Sequence, residues 1–174
     1  MLDTAIRVRP AEPADGPEIR AVVKRAFGRC REAELVEGLR TDGDLALSLV
    51  ADIVGLAVVG HVGFSRLAIM REAGEVGALA LAPLAVLPGW QRRGVGGALV
   101  EHGIAACRRT DAAAIVVLGD PAYYPRFGFS AAAAATLSAP FKGAAFMALE
   151  LRPGLLAGGG RLRYAPAFGI AAPA

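Results

Sequence analysis

An α/β or α+β fold is what this chain predicts, on three observations. Apolar residues fill 55% of its 174 positions and charged residues 20%, enough for a sizeable core and too few charges for a disordered chain. Runs of β-branched or alternating residues are interspersed with stretches of helical period. The segment from Leu79 to Leu118 carries a strand–helix–strand crossover, the connection that parallel strands require.

The elements follow in order. Ile6–Arg9 alternates apolar and charged residues, as a half-buried strand does. AEPADGPEIRAVVKRAFG supplies Asp15 as an expected N-cap and Pro17 early in a helix to about Phe27. Leu35, Val36 and Leu39 put an apolar face on a helix over Glu32–Arg40, and Gly43-Asp44 stops it. Leu45–Ile53 and Val54–Ile69 read as successive strands. Glu75–Leu87 is apolar enough to be a central buried strand, yet it holds Pro83, which cannot donate to a ladder. Val95, Ala98, Leu99, His102 and Ala106 share a stripe of a helix over Val95–Arg109. Ala113–Leu118 reads as a buried strand. The aromatic Asp120–Phe129 and the alanine-rich Ser130–Leu137 lead to a last strand, Ala144–Leu151. The tail RPGLLAGGGRLRYAPAF has no firm period. One domain over 1–174 is expected, with its core at about 6–151 and an extension, 152–174, packed on it.

Composition narrows the function. Cations exceed anions by three, and all of them except Lys24 and Lys142 are arginines. No dense basic run interleaved with aromatics occurs, so no nucleic-acid partner is expected. Cys30 and Cys107 stand far apart and outside any ligand spacing, which predicts two buried free thiols and no metal. MLDTAIRVRPAEPADG lacks the apolar core of a signal peptide. The longest mostly apolar stretch, Gly77–Gly89, is too short for a bilayer and contains two prolines, Pro83 and Pro88. A cytoplasmic protein with no membrane partner is expected.

The informative stretch is LPGWQRRGVGGALV, residues 87–100. A dinucleotide fingerprint fails at Leu99, where its third glycine belongs, and no ribose-binding acid ends a strand about 20 residues later. Walker A fails because no lysine follows the glycines. What remains is strand, Q-R-R-G-V-G-G-A, helix. The first turn of a helix leaves N–H groups without partners, and the dipole makes that end positive. Gly94, Gly96 and Gly97 would let an anion reach those groups, with Arg92 and Arg93 adding charge. A tight turn with close helix–sheet packing is the competing explanation. Pro83 favours the anion: it disrupts pairing in the strand that feeds the segment. An extended ligand could then bond as a false strand to Leu84, Ala85 and Val86. A pyrophosphate with a long amide-bearing arm describes coenzyme A.

LAVLPGWQRRGVGGALV resembles the acyl-CoA-binding core of the GNAT superfamily of N-acetyltransferases, whose Q/R-x-x-G-x-G/A pattern follows a bulged strand. Gln91, Gly94 and Gly96 stand at its three positions. VVLGDPAYYPRFGF is similar to the superfamily's Y-x-x-x-G-F segment through Tyr124, Gly128 and Phe129. Tyr164-Ala165-Pro166-Ala167-Phe168 matches the Y-x-P-x-F ending of a compact, single-domain bacterial subgroup of predicted acetyltransferases. The resemblance covers roughly residues 6–151 in element order. It implies a mixed, mostly antiparallel central sheet flanked by helices. It also implies transfer of an acetyl group from acetyl-CoA to a primary amine, on a small molecule or a peptide. Acetyl-CoA would lie along residues 84–86, whose amides would polarise the thioester carbonyl. Its pyrophosphate would rest on the amides from Arg92 through Val95 to Gly97. Direct attack by the amine requires no Ser or Cys nucleophile.

The departing thiolate needs a proton, and a phenol with pKa near 10 still carries one at neutral pH. Tyr124 matches the superfamily's general acid. Tyr123 is the fallback, because a one-residue shift in a short helix exchanges their directions. The asparagine that often precedes this tyrosine is replaced by Gly119-Asp120-Pro121, so the resemblance carries over no side-chain contact from this loop. Asp120 reads instead as the N-cap of the short helix holding Tyr124. Glu32, Glu34, His61 and Glu75 are general-base candidates, none with a motif behind it, and water serves as well. A CoA-binding sensor with the same fold and no turnover is the alternative function. The acceptor carries no signature, and the long last strand leaves a homodimer open.

Overall fold

The computed structural model describes residues 5–54 and 56–171. Expectations that fall on residues 1–4, Gly55 and 172–174 lie outside the described residues. The elements are β1 (Ile6–Pro10), α1 (Gly16–Phe27), α2 (Arg31–Thr41), β2 (Leu45–Ile53), β3 (Ala57–Arg71) and β4 (Gly74–Val86). They continue with α3 (Val95–Cys107), β5 (Ala114–Leu118), α4 (Ala131–Ala134), β6 (Leu137–Ser138), β7 (Phe146–Glu150) and β8 (Gly160–Tyr164). The sheet order is β1-β2-β3-β4-β5-β7, with β8 pairing β3 and β6. β1–β2, β3–β8 and β5–β7 are antiparallel, whereas β4–β5 and β6–β8 are parallel. This is the mixed, mostly antiparallel sheet with helices that the resemblance implied.

The chain forms two compact units, Met1–Phe64 with Ala82–Ala106 and Ser65–Leu81 with Cys107–Ala174. In the first, the helical period of α1 and α2 buries Ile19, Val22, Val23 and Val36 with Val50, Val58 and Ala85. Gly28, left-handed at φ 69°, ends α1 with its N–H on Lys24 O at 2.9 Å. Asp15 does sit at the cap position of α1, but its side chain does not cap the helix. Its carboxylate accepts instead from Glu12 N at 2.7 Å and from both terminal nitrogens of Arg9 at 2.7 and 2.9 Å. The Arg9 guanidinium and the Glu12 amide together occupy the oxygens that a helix cap would use. Val54 and Leu56 are not in a strand: Leu56 N–H bonds Ile53 O at 2.8 Å and turns the chain before β3 begins at Ala57.

Arg9 also places Nε on Asp52 Oδ2 at 2.6 Å, and Arg7 reaches the same carboxylate at 3.0 Å. One strand thereby holds two largely buried carboxylates. Hydrogen bonds from Arg9 and Arg7, respectively, keep Asp15 and Asp52 below the ordinary carboxylate range. Arg9→Ala leaves both carboxylates short of a partner and is expected to cost about 3–5 kcal/mol in denaturant unfolding at pH 7. The pH sign follows from the lowered folded values. The pairs contribute their full stability above the unfolded carboxylate pKa, near 3.9, and lose it as pH falls through the folded pKa values. Arg9→Ala should therefore flatten the acid limb of the stability curve. An acid limb that keeps its wild-type slope in the variant would contradict this.

In the second unit, Leu67, Ile69, Ala80, Val116, Phe146 and Leu162 form the core. The tail does more than pack as an extension. β8 pairs with β3 from Leu67–Tyr164 to Met70–Arg161, burying Leu162 between exposed Arg161 and Arg163. Arg71 Nε donates to Gly159 O at 2.7 Å and fixes the entry to that strand.

Candidate active site

The first unit contains the glycine-rich segment. α3 lies close on its sheet because Gly103 has no side chain: a Cβ there would stand 2.3 Å from the Phe64 ring. Strand β4 pairs in parallel with β5 at Leu79–Ile115 and Ala80–Val116 and then continues through Pro83 to Val86. The Ala82–Pro83 peptide is cis. Ala85 and Val86 are buried and Leu84 is half-buried. The end of the strand is held twice, by Leu87 N–H to Val59 O at 2.9 Å and by Gln91 Nε2 to Val86 O at 3.0 Å. The Gln91 side chain thus secures the backbone at the end of the stretch Leu84–Val86.

Pro88–Trp90 forms a 3-10 turn, and the chain then enters α3 through two left-handed residues, Arg92 at φ 58° and Gly94 at φ 83°. Arginine rarely adopts that region, and such conformations concentrate where backbone groups are aimed at a ligand. Gly94 O accepts the first helical bond, from Ala98 N at 2.9 Å, so Gly94 is the residue from which the helix departs. The N–H groups of Val95, Gly96 and Gly97 fall in the first turn, where no intrahelical acceptor exists. Gln91 to Gly94 are exposed, Val95 is buried, and Gly96 and Gly97 are half-buried. The Arg93 guanidinium lies 5.3 Å from the centre of the Trp90 ring, a cation–π contact that leaves its charge facing solvent. These features fit a polyanion: free amides, a helix dipole and two cations at one place. The cations and glycines are legible in the sequence, whereas nothing in the spacing announces the Trp90 stack.

The second unit contains the tyrosine pair. Tyr124 opens a 3-10 turn, Tyr124–Phe127, and is buried, with its ring edge-on to Tyr123 at 5.1 Å and to Phe129 at 5.7 Å. Burial pushes its phenol up to about 12, so the hydroxyl keeps its proton at physiological pH. Tyr123 is half-buried and its ring lies 4.5 Å from the Arg126 guanidinium. Asp120 is not the cap of this turn, whose cap position is Tyr123. The Asp120 carboxylate accepts from Ala122 N at 2.8 Å and folds the chain one step earlier.

The remaining candidates lie outside these two segments. His61 is fully buried on β3, with Nε2 2.9 Å from Ser48 Oγ, and burial pulls its pKa down to about 4. A neutral imidazole of that basicity is a poor acceptor for an ammonium proton. Glu32 pairs with Arg29 at 2.9 Å, and Glu75 with Arg163 at 2.8 Å. Glu34 lies exposed on α2. Cys107 is buried and its thiol is pushed up to about 12, whereas Cys30 is only half-buried. Among the described residues no helix is long and apolar enough to cross a membrane, and no cluster of three His, Cys, Asp or Glu side chains could hold a metal.

Residues 47–131 match the family model for the acetyltransferase (GNAT) domain. The Escherichia coli K12 protein called uncharacterized N-acetyltransferase YhbS is 40% identical over 126 residues, 72% of this chain and 74% of that protein. The chain therefore belongs to the GNAT acetyltransferases and is an acyltransferase. A second E. coli K12 relative, uncharacterized N-acetyltransferase YjhQ, is 43% identical over 120 residues, 68% of this chain and 66% of YjhQ. Among solved structures, E. coli YhbS in complex with CoA superposes with a TM-score of 0.87 at 35% identity, over 99% of this chain and 97% of that one. A GNAT family acetyltransferase from Brucella melitensis in complex with acetyl-CoA gives 0.79 at 36% identity, over 95% and 99%.

Proposed function

We propose that this protein, working as a single acetyltransferase domain, transfers an acetyl group from acetyl-CoA to a primary amine. The observation that carries the reading is the approach to α3, where Arg92 and Gly94 take left-handed conformations beside first-turn amides. Arg92 to Gly97 bind the pyrophosphate, and Leu84, Ala85 and Val86 take the amide-bearing arm as an added strand. A backbone amide of that strand polarises the thioester carbonyl. Relatives solved with CoA and with acetyl-CoA support the choice of donor.

The neutral amine attacks the carbonyl carbon, a C–N bond forms, and the C–S bond breaks. Tyr124 gives its phenolic proton to the departing thiolate and recovers one from solvent. The proton lost by the amine passes to water: His61 is too weakly basic, Glu32 and Glu75 are paired, and Glu34 lies exposed on α2. Thiol release from acetyl-CoA with a panel of polyamines, aminoglycosides, amino acids and peptides tests the reading. Release with at least one amine, matched by acetylated product, is expected. Tight acetyl-CoA binding without release for any acceptor would establish the sensor instead.

A further inference from the structure

Tyr124 sits where it does because position 119 has no side chain. A Cβ on Gly119 would stand 2.3 Å from Tyr124 Cε2 and 2.9 Å from Cδ2, closer than real carbon atoms approach. The ring has little room to retreat. Tyr123 abuts it edge-on at 85° and Phe129, itself 1% exposed, at 77°. The backbone at 119 is pinned as well: Gly119 N–H bonds Ala145 O at 2.9 Å, and Tyr124 N–H returns to Asp120 O at 3.3 Å. Space is therefore removed at one residue and filled by the ring of another, with neither side free to give.

We propose that Gly119 is a positioning residue for the reaction: the empty side-chain site at 119 is the slot that fixes the Tyr124 ring, and so the direction of its hydroxyl. This rests on the reading of Tyr124 as general acid. It also gives a physical reason for a glycine at the end of β5. A residue with any side chain there and a ring at this depth exclude each other.

Gly119→Ala is the direct test, read with acetyl-CoA and the amine that gives the fastest thiol release. Turnover should fall roughly 10- to 100-fold, the effect of moving a reacting group by about 1 Å, while the acetyl-CoA Kd stays within about twofold. In a Tyr124→Phe background the same substitution should cost nothing further, because the hydroxyl it misplaces is already gone. A readout independent of turnover is the ring NMR signal of Tyr124, one of only three tyrosines in the chain. That signal should move in Gly119→Ala. If the alanine variant does not fold, Phe129→Leu loosens the opposite wall of the slot without a clash and should give the same kinetic signature. Wild-type turnover in the folded Gly119→Ala protein, or an equal further loss in the Tyr124→Phe background, would overturn the positioning role and leave Tyr124 in place. Wild-type turnover in Tyr124→Phe itself would instead remove the acid, and the slot's function with it.

Discussion

Gly96→Val is expected to weaken acetyl-CoA binding by about 30-fold or more, near 2 kcal/mol, while changing folding stability by no more than about 1 kcal/mol. The asymmetry has a physical origin. Residue 96 lies in the first turn of α3, where its N–H has no helical acceptor and its surface is half open. A helix tolerates valine there better than glycine on propensity alone, since glycine carries the larger backbone entropy cost. A phosphate seated on the amides tolerates it poorly, because two branched methyl groups stand between anion and N–H. Isothermal titration with acetyl-CoA, set beside chemical unfolding of the same variant, separates the two quantities. Equal losses in both would mean that the glycines serve packing alone.

Tyr124→Phe is expected to lower turnover by about 100-fold or more, in the range that a positioned acid contributes, with acetyl-CoA affinity nearly unchanged. Phenylalanine keeps the ring, its edge contacts with Tyr123 and Phe129, and the slot over Gly119. Only the proton donor is lost. The wild-type enzyme should also keep the acid active to unusually alkaline pH, because burial pushes the Tyr124 phenol up to about 12. Its proton is fully present below that value and leaves as pH rises through it. Steady-state kinetics of the two proteins across pH 7 to about 10 should show a constant ratio if the phenol is the donor. Unchanged turnover in the variant would take Tyr124 out of the chemistry.

Local signals carried much of this fold. Leu45–Ile53 is apolar at seven of its nine positions and is a strand over the residues read, and Gly28 and Gly43 end α1 and α2 as breakers do. The helix after the glycines begins at Val95, where the first apolar residue follows Gly94. Three features escaped for identifiable reasons. β8 is short, begins on the last of three glycines, and carries its alternation on Arg161, Leu162 and Arg163 alone; its stability comes from pairing with a strand almost a hundred residues earlier. Asp15 has the identity and position of a cap, but Arg9, six residues before it, takes its oxygens. Gly119 looked like a missing asparagine, and only the ring of Tyr124 above it gives the glycine a purpose. The glycine and arginine cluster was legible because its residues are consecutive in the chain. Contacts between distant residues leave no such mark.

The most direct test of direct transfer is the intact mass of the protein after incubation with acetyl-CoA alone, followed by addition of an amine that supports thiol release. With Cys107 buried and its thiol pushed up to about 12, no acetyl group is expected on the protein at either stage. Acetylated amine and free CoA thiol should instead appear in equal amounts only after the amine is added. An acetylated protein that forms first and then surrenders its acetyl group to the amine would contradict it.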